Sequence, residues 1–271
     1  MNYDAIDLKP QQVQKISELV YRAAGINLKQ NKEALVRARL MKRLRSLGIR
    51  RVADYLDLIE KNPESEEIGC LIDVMTTNKT SFFREMEHFS FLRDSVLPQL
   101  TASRLRFWSA ACSSGEEPYT LAIILREHLP GLDGRDVRIL ATDISRCVLA
   151  KARQAVYPQA VVQEAPLPQY RKYFVSLPHG RSGPVRVAAE VQRLVHLAYL
   201  NLMEPWPMKG GFQVIFCRNV MIYFDRPTQQ TLIQRFWDNL EDGGYLFVGH
   251  SEGLSAIQHR FRYVRPAVYR K

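Results

Sequence analysis

The spacing of apolar residues changes near residue 99, and this change most limits the folds open to the chain. Before it, four segments have helical spacing, and the first three end at glycine or shortly before proline, as helices do. After it, RLRFWSA precedes PYTLAIILREHL and VRILATD precedes SRCVLAKARQAV, so strand-like runs alternate with helical ones. Such alternation indicates an α/β fold with a mainly parallel sheet and helices on both faces.

The same pattern divides the chain into three parts. We predict a basic all-helical domain over residues 1–77, a connecting segment with an amphipathic helix over 78–98, and an α/β domain over 99–271. The connecting helix is expected to span SFFREMEHFSFLRDSVLPQL and to end near Pro98. A stretch rich in proline and glycine, about 158–193, predicts an inserted hairpin-like β-subdomain.

Composition excludes several classes of protein. Hydrophobic and charged fractions of 46% and 24% are typical of a soluble globular chain and exclude disorder. The first residues lack a signal-peptide core and no apolar run has the length of a membrane span, so we expect a cytoplasmic protein. The four cysteines are scattered without metal-ligand spacing, which predicts reduced thiols and no structural metal.

Positive charge is concentrated in one short stretch. The net charge is +10, and residues 31–51 alone hold eight basic residues against Glu33, a local net charge of +7. The helix expected over 32–47 has Val36, Leu40, Leu44 and Leu47 toward one side, with basic residues over the remainder. This helix is either a solvated surface or a docking surface for an acidic partner.

Two features predict a nucleoside ligand at the carboxyl ends of the first two strands. A turn of small residues, Ala111–Gly115, opens the next helix and lets a ligand approach the backbone. It lacks GxGxxG and carries Glu116 and Glu117, so a nucleoside without a phosphate fits better. Asp143 ends the second strand, where an acid typically accepts hydrogen bonds from ribose. The alternatives are an ordinary turn with a capping acid and, for Asp143, a helix N-cap.

Four segments read together resemble one known family. They are TTNKTSFFRE at 76–85, SAACSSGEEPYT at 109–120, LNL at 200–202 and CRNVMIYF at 217–224. Over essentially its whole length the chain resembles the CheR-type chemotaxis methyltransferases. The resemblance implies a class I methyltransferase fold, a doubly wound sheet with an antiparallel C-terminal strand. It also implies methyl transfer from S-adenosylmethionine to chemoreceptor glutamates, giving methyl esters and S-adenosylhomocysteine.

The resemblance also implies roles for individual residues. Arg84 and Tyr223 would lie beside the transferring methyl group. The residues implied in cofactor binding are Asn78, Thr80, Arg84, Glu117, Asp143, Asn201, Leu202, Arg218 and Asn219. Taken alone, Arg84 could be a helix-surface charge paired with Glu87 or His88, and Tyr223 an ordinary strand-end aromatic residue.

Two further surfaces follow from the resemblance. The basic helix would dock against the acidic methylation helices of a receptor, through Arg37, Arg39, Lys42, Arg43 and Arg45. The insert would bind a pentapeptide at the receptor's C-terminus by adding a β-strand, with Gly183 and Arg186 as candidate residues. Ser176 and Leu177 depart from the Arg- and Gly-rich turn that this role favours. Nothing in the sequence requires an oligomer, so we expect a monomer.

Other functions stay open at this point. A nucleic-acid methyltransferase would suit the net charge, although CRNVMIYF stands where an NPPY-type motif would be expected. A non-enzymatic adaptor that binds S-adenosylmethionine is a second alternative, against which Arg84 and Tyr223 count. A nicotinamide oxidoreductase is disfavoured because the phosphate-binding glycines are missing.

Overall fold

The computed structural model describes residues 8–28, 33–62, 66–76, 78–178 and 183–271, and its N-terminal part is helical. Val36, Leu40 and Leu44 recur at helical spacing and are buried, whereas Leu47 is 37% exposed. Leu47 is the last helical residue before Gly48, whose φ of 67° ends the helix. The helices are α1 Pro10–Ala24, α2 Glu33–Leu47, α3 Val52–Lys61 and α4 Glu66–Met75.

The connecting segment corrects one prediction. Its helix α5 begins at Met86, five residues later than expected, and runs to Phe91 before a wider π-helical turn and a short 3-10 turn. Phe83 and Glu85 have φ of 54° and 55°, which is incompatible with a helix. The backbone N–H of Phe83 instead donates to Thr120 Oγ1 at 3.1 Å, a tertiary contact that helical periodicity cannot indicate.

The α/β domain is built on a seven-stranded sheet in the order β6-β2-β1-β7-β8-β10-β9. The first five of these strands run parallel, and β10 is antiparallel to both β8 and β9. This confirms the mainly parallel sheet and the antiparallel C-terminal strand, which is β10; β9 runs in the same direction as the parallel strands. Along the chain the strands are β1 Arg104–Ala110, β2 Asp136–Asp143, β3 Val156–Tyr157, β4 Phe174–Ser176, β5 Val185–Val187, β6 Val195–Tyr199, β7 Phe212–Cys217, β8 Leu240–Val248, β9 Arg262–Arg265 and β10 Val268–Arg270.

Helices cover both faces of this sheet. Neighbouring residues on the central strands point to opposite faces, so Phe107 and Trp108 of β1 belong to different cores. The core that contains Trp108 continues into the helical domain, whereas the core that contains Phe107 continues into the insert. The remaining helices are α6 Glu116–His128, α7 Arg146–Gln154, α8 Val161–Glu164, α9 Ala189–Gln192 and α10 Arg226–Asn239.

The predicted insert contains a second, three-stranded antiparallel sheet in the order β3-β5-β4. Its first strand starts at Val156, just before the expected stretch. Phe82 of the connecting segment packs edge-on against Tyr157 and Phe174, with ring centroids 4.9 and 5.0 Å apart. The small sheet is therefore fixed to the α/β domain through aromatic contacts. No helix among the described residues is long and apolar enough to cross a membrane.

Candidate active site

A cavity of about 590 Å³ lies at the carboxyl ends of the parallel strands. Because β1 pairs with β2 on one side and β7 on the other, the ends of these strands meet at one edge. Ligands of doubly wound folds bind at this edge. The cavity brings together all ten residues singled out for the site, namely Asn78, Thr80, Arg84, Glu117, Asp143, Asn201, Leu202, Arg218, Asn219 and Tyr223.

The turn after β1 requires small residues. Ala111 and Ser113 have φ of 66° and 50°, and Gly115 has φ of 99°. A Cβ on Gly115 would lie 2.9 Å from the hydroxyl of Tyr157, so glycine is needed for both conformation and space. The turn thus brings its backbone close to the cavity, as the sequence predicted.

Asp143 is held by the backbone at the end of β2. Its Oδ2 accepts the Ser113 N–H at 2.8 Å and its Oδ1 accepts the Ser145 N–H at 2.9 Å. The N-cap alternative for Asp143 was wrong, because Ser145 caps α7 by accepting the Val148 N–H. Each carboxylate oxygen still has a second lone pair for a ligand hydroxyl. Burial raises the pKa of Asp143 even though these backbone bonds favour its charged form.

Arg218 forms a buried bridge between two carboxylates behind the cavity wall. Its side chain is 2% exposed and donates from Nη1 to Glu117 Oε2 at 2.9 Å, while Nη2 lies 3.0 Å from Glu85 Oε2. Nη2 also donates to the Arg84 carbonyl at 2.6 Å. Burial raises the pKa of Glu117, and Arg218 offsets this only in part. For Glu85 burial acts in the same direction, but Arg218 outweighs it and the pKa is lowered.

Arg84 and Tyr223 both line the cavity, and their hydrogen bonds differ: Arg84 bonds through its side chain and Tyr223 through its backbone. Arg84 is 39% exposed and donates from Nη1 to the Lys79 carbonyl at 3.0 Å. Its nearest carboxylate is Glu85 at 4.0 Å, so the alternative pairing with Glu87 or His88 does not describe it. Tyr223 ends a 3-10 turn beyond β7 and is not a strand-end residue. Its carbonyl accepts the Asn27 N–H at 2.7 Å.

The C-terminal end of α1 contributes to the cavity, which the sequence did not indicate. Ala24 and Ile26 line it. Asn201 Nδ2 donates to the Ala23 carbonyl at 2.7 Å, and the Tyr21 hydroxyl donates to Asp225 Oδ2 at 2.7 Å. The Asn201 side chain is thus committed to joining the two domains as well as lining the cavity. The cavity is completed by the helical domain.

Glu252 was also missed. It follows β8, is 7% exposed, and accepts backbone N–H groups of the loop after β7 and of its own loop after β8. An acid placed just beyond the carboxyl end of a parallel strand is the same signal that identified Asp143, so HSE at 250–252 could have been included.

One group of side chains in the described ranges has the composition of a metal site. Ligand atoms of Glu85, His88 and His250 lie within 4.8 Å of one another. Arg218 already lies 3.0 Å from the Glu85 carboxylate, and its charge would repel a dication there. Burial, then Arg218, lowers the pKa of His88 to about 3, so its ring is neutral. The sequence expectation of no metal stays a prediction.

The predicted docking residues lie on α2 and have different surroundings. Arg37, Lys42 and Arg45 are exposed. Arg43 is instead bound by both oxygens of Glu67, at 2.9 and 2.5 Å, within the helical domain. Arg39 is partly buried and donates to the Met75 carbonyl at 2.6 Å. Arg43 therefore contributes to the packing of the helical domain, and its role in docking stays a prediction.

The two residues predicted to bind a receptor pentapeptide, Gly183 and Arg186, lie at the small three-stranded sheet. Gly183 is buried and precedes β5, and Arg186 is exposed on β5. Strand β5 is paired with β3 and β4 on its two sides. Its backbone therefore has no free edge for a further strand, so an added peptide would have to pair at β4 or β3.

The residues around the cavity fit S-adenosylmethionine. Asp143 has acceptor capacity for ribose hydroxyls, and the small-residue turn leaves space at the backbone. Two carboxylates, Asp143 and Glu117, line the cavity and would repel a phosphate-bearing cofactor. A nucleoside cofactor without phosphate satisfies both conditions.

Comparison with known proteins agrees with this geometry. Residues 78–269 match the CheR methyltransferase SAM-binding domain, and residues 11–76 match the CheR methyltransferase all-alpha domain. Chemotaxis protein methyltransferase 2 of Pseudomonas aeruginosa is 42% identical over 258 residues, covering 94% of this chain and 91% of that protein. Chemotaxis protein methyltransferase of Escherichia coli K12 is 42% identical over 256 residues, covering 94% and 88%.

Among solved structures, the glycopeptide N-methyltransferase MtfA complexed with sinefungin is 14% identical, with a TM-score of 0.38, over 62% of this chain and 50% of that one. The family matches span most of both domains, and the cavity lies where the family's cofactor-binding domain meets its helical domain. The chain belongs to the CheR family of S-adenosylmethionine-dependent chemotaxis methyltransferases.

Proposed function

We propose that the chain transfers methyl groups to glutamate side chains in the cytoplasmic domain of a chemoreceptor, acting in the cytoplasm. The observation that carries this proposal is the position of Arg84, a partly exposed cation on the wall of the same cavity that Tyr223 lines. A guanidinium and a phenol there can orient an incoming carboxylate. The curated relatives are named chemotaxis protein methyltransferases, which supports a receptor of chemotaxis as the substrate.

The chemistry needs orientation more than proton transfer. When bound, S-adenosylmethionine supplies an electrophilic methyl group. A glutamate carboxylate has a reference pKa of about 4.3 and is ionised at neutral pH, so no general base is required. Arg84 and Tyr223 would hold the carboxylate in line, and alignment of reactants can lower a barrier by roughly 7–11 kcal/mol. The carbonyl of Lys79 occupies one Arg84 donor and limits how tightly Arg84 grips the substrate.

The remaining cavity residues would bind the cofactor. Asp143 would accept from ribose, and Asn78 and Thr80 would cover the cavity from the connecting segment. Arg218 would act through Glu117 and the Arg84 carbonyl, because its own charge is taken up by carboxylates. Asn201, Leu202 and Asn219 would line the adenosine side.

The substrate helix would dock on α2 through Arg37, Lys42 and Arg45, which are exposed, with Arg39 contributing at the edge. A receptor segment rich in glutamate is the complementary partner, and such contacts weaken with salt. If a C-terminal pentapeptide is bound, it would pair with β4, where Val175 is 52% exposed, and Arg186 would face it on the neighbouring strand.

The test uses radiolabelled S-adenosylmethionine and a purified cytoplasmic receptor fragment. We expect label on the receptor that mild base releases as methanol, since a methyl ester is base-labile. Arg84→Ala should reduce the rate by about 10²–10³-fold, the usual effect of removing one electrostatic donor. Arg104→Ala is the matched control, because this exposed arginine lies at the opposite end of β1.

A second candidate rests on the net charge of +10, which favours nucleic acid as the acceptor. The same labelled cofactor is therefore offered to RNA and DNA in parallel. Label on nucleic acid with none on the receptor would replace the proposal. Cofactor binding without transfer to either acceptor would favour a non-enzymatic adaptor.

A further inference from the structure

The buried carboxylate of Glu252 organises the loop that carries Asn219 and Tyr223. Its Oε2 accepts the backbone N–H of Asn219 at 2.6 Å and of Gly249 at 2.7 Å, and its Oε1 accepts the N–H of Ile222 at 3.2 Å. Three backbone donors thus converge on one side chain from two loops. Since each loop follows a different parallel strand, Glu252 ties the end of β8 to the end of β7.

The packing around this carboxylate leaves no space for a side chain at Gly249. A Cβ on Gly249 would lie 2.5 Å from Glu252 Oε2 and 2.7 Å from Asn219 Nδ2. The φ of Gly249 is not positive, so glycine is needed here for space and not for conformation. Close approach of the two loops is therefore built into the backbone at this position.

The loop held by Glu252 adopts a conformation that it would not favour alone. Asn219 has φ of 59°, which is uncommon for a residue with a side chain. Its amide N–H is bound by Glu252, and its Nδ2 lies 3.3 Å from Glu85 Oε1. Strained residues of this kind persist when surrounding contacts determine them, and they concentrate at functional sites.

The backbone of Tyr223 is held by one hydrogen bond on each side of the residue. The Ile222 N–H, one residue before it, is bound by Glu252, and its own carbonyl is bound by Asn27 of the helical domain. A shift of this backbone by about 1 Å would move the phenol relative to Arg84, and misplacement of that size can cost about 10²-fold in rate.

We propose that Glu252 is a positioning residue for methyl transfer, which sets the placement of Tyr223 and Asn219 by accepting three backbone N–H groups. This inference rests on the proposed function, in which Tyr223 orients the acceptor carboxylate. Glu252 does not line the cofactor cavity, so it acts through the loop. A glutamine cannot replace it, because its NH₂ group would face a backbone donor on one side.

The experiment is a double-mutant cycle on receptor methylation with Glu252→Gln, Tyr223→Phe and the double variant. We expect Glu252→Gln to lower kcat by about 10–100-fold with a smaller change in the KM for S-adenosylmethionine. In the Tyr223→Phe background the same substitution should lower kcat by less than about threefold. Residues that act as a unit are non-additive in this way.

Two further variants separate positioning from folding. Gly249→Ala pushes on the same carboxylate and should reproduce the kcat loss of Glu252→Gln, whereas Glu252→Asp keeps two acceptor oxygens and should recover part of it. Glu241→Gln, exposed at the far end of β8, is the control that should leave kcat unchanged. Hydrogen exchange of the peptide that contains Ile222 reports the loop without requiring activity.

The outcomes are distinct. If Glu252→Gln and Tyr223→Phe lower kcat by factors that multiply, Glu252 does not act through Tyr223 and the inference fails. Unchanged exchange at Ile222 in Glu252→Gln would also overturn it. If the wild-type chain methylates no receptor, the proposed function fails first, and the exchange measurement still decides whether Glu252 holds the loop.

Discussion

Two arginine–carboxylate clusters, one in each domain, show how different surroundings change the same interaction. In the helical domain Arg43 binds Glu67 through two hydrogen bonds, and Glu67 also accepts the Tyr55 hydroxyl at 2.6 Å. Burial raises the pKa of Glu67, but Arg43 and Tyr55 outweigh it and the pKa is lowered. At the cavity, burial of Glu117 wins over Arg218 and the pKa is raised.

The difference separates a carboxylate that stabilises the fold, Glu67, from one that is buried at a cost, Glu117. A carboxylate whose pKa is lowered is more stable as an anion in the fold than in the unfolded chain, so the Arg43 cluster stabilises the domain. A carboxylate whose pKa is raised is held charged at a cost, which is typical of active sites. Lys42 and Arg45 of α2 are exposed, whereas the Arg218 side chain at the cavity is 2% exposed.

The largest expected effect comes from removing Arg218. Arg218→Ala leaves Glu117 and Glu85 buried without their cation, which should lower the free energy of unfolding by about 3–5 kcal/mol. Arg43→Ala should lower it by about 2 kcal/mol, because Glu67 keeps the Tyr55 hydroxyl. Urea unfolding followed by tryptophan fluorescence measures both. Equal losses of unfolding free energy in the two variants would contradict the difference that we infer between the two clusters.

Removing the charge of Asp143 should weaken binding of the cofactor. Asp143→Asn leaves one acceptor oxygen for the Ser113 and Ser145 N–H groups and loses the charged acceptor for ribose, worth about 1.5–3 kcal/mol. We expect the Kd for S-adenosylhomocysteine to rise about 10–100-fold by calorimetry. Asp136→Asn, exposed at the start of β2, is the control and should leave the Kd unchanged.

Glu67 and Glu117 should respond to pH in opposite directions. Because the folded pKa of Glu67 is lowered from 4.5, its stabilisation is present above pH 4.5 and is lost as pH falls through the folded pKa. Because the folded pKa of Glu117 is raised, its charge disfavours folding as pH rises above 4.5. The unfolding difference between wild type and Glu67→Gln, about 2 kcal/mol at pH 7, should therefore vanish in acid. A difference that stays constant as the pH falls from 7 to the onset of acid unfolding would contradict this assignment.

The smallest effect is expected on the outward-facing charges. Lys42→Ala and Arg45→Ala should each raise the KM for receptor by about two- to fivefold at low salt, since one exposed charge contributes about 1 kcal/mol or less. The effect should shrink in 0.5 M salt, and cofactor binding should not change. Lys209→Ala, an exposed cation on the α/β domain, is the control. A change in the KM for receptor that is equal at low and high salt would contradict electrostatic docking on α2.

Sequence predicted the sheet and the helical domain because both depend on the spacing of apolar residues. It also predicted the residues that line the cavity, since the turn after β1 and Asp143 at the end of β2 carry signals that local chemistry explains. Their roles in binding and catalysis stay predictions. The pairing of Arg43 with Glu67 could not be predicted, because Glu67 lies on another helix and helical spacing within α2 gives no sign of it.

Contacts between distant parts of the chain were beyond sequence reasoning. The late start of α5 depends on Phe83 reaching Thr120, and the position of Glu85 depends on Arg218, 133 positions away in sequence. The role of the α1 end in the cavity depends on Asn201 reaching Ala23. In each case the deciding partner belongs to a different element of the fold.

The contacts at the end of α1 bear on how such enzymes can diversify. The Asn201 side chain donates to the carbonyl of Ala23, and the Asn27 N–H donates to the carbonyl of Tyr223. Both hydrogen bonds therefore use main-chain atoms of the helical domain. Main-chain atoms are the same in every sequence. Gly25, with φ of 68° beside Met203, is the fixed point that such a junction would have to retain. A transplanted helical domain that keeps this glycine could therefore bring a new recognition surface to the same methyl-transfer centre, as an exchangeable adaptor.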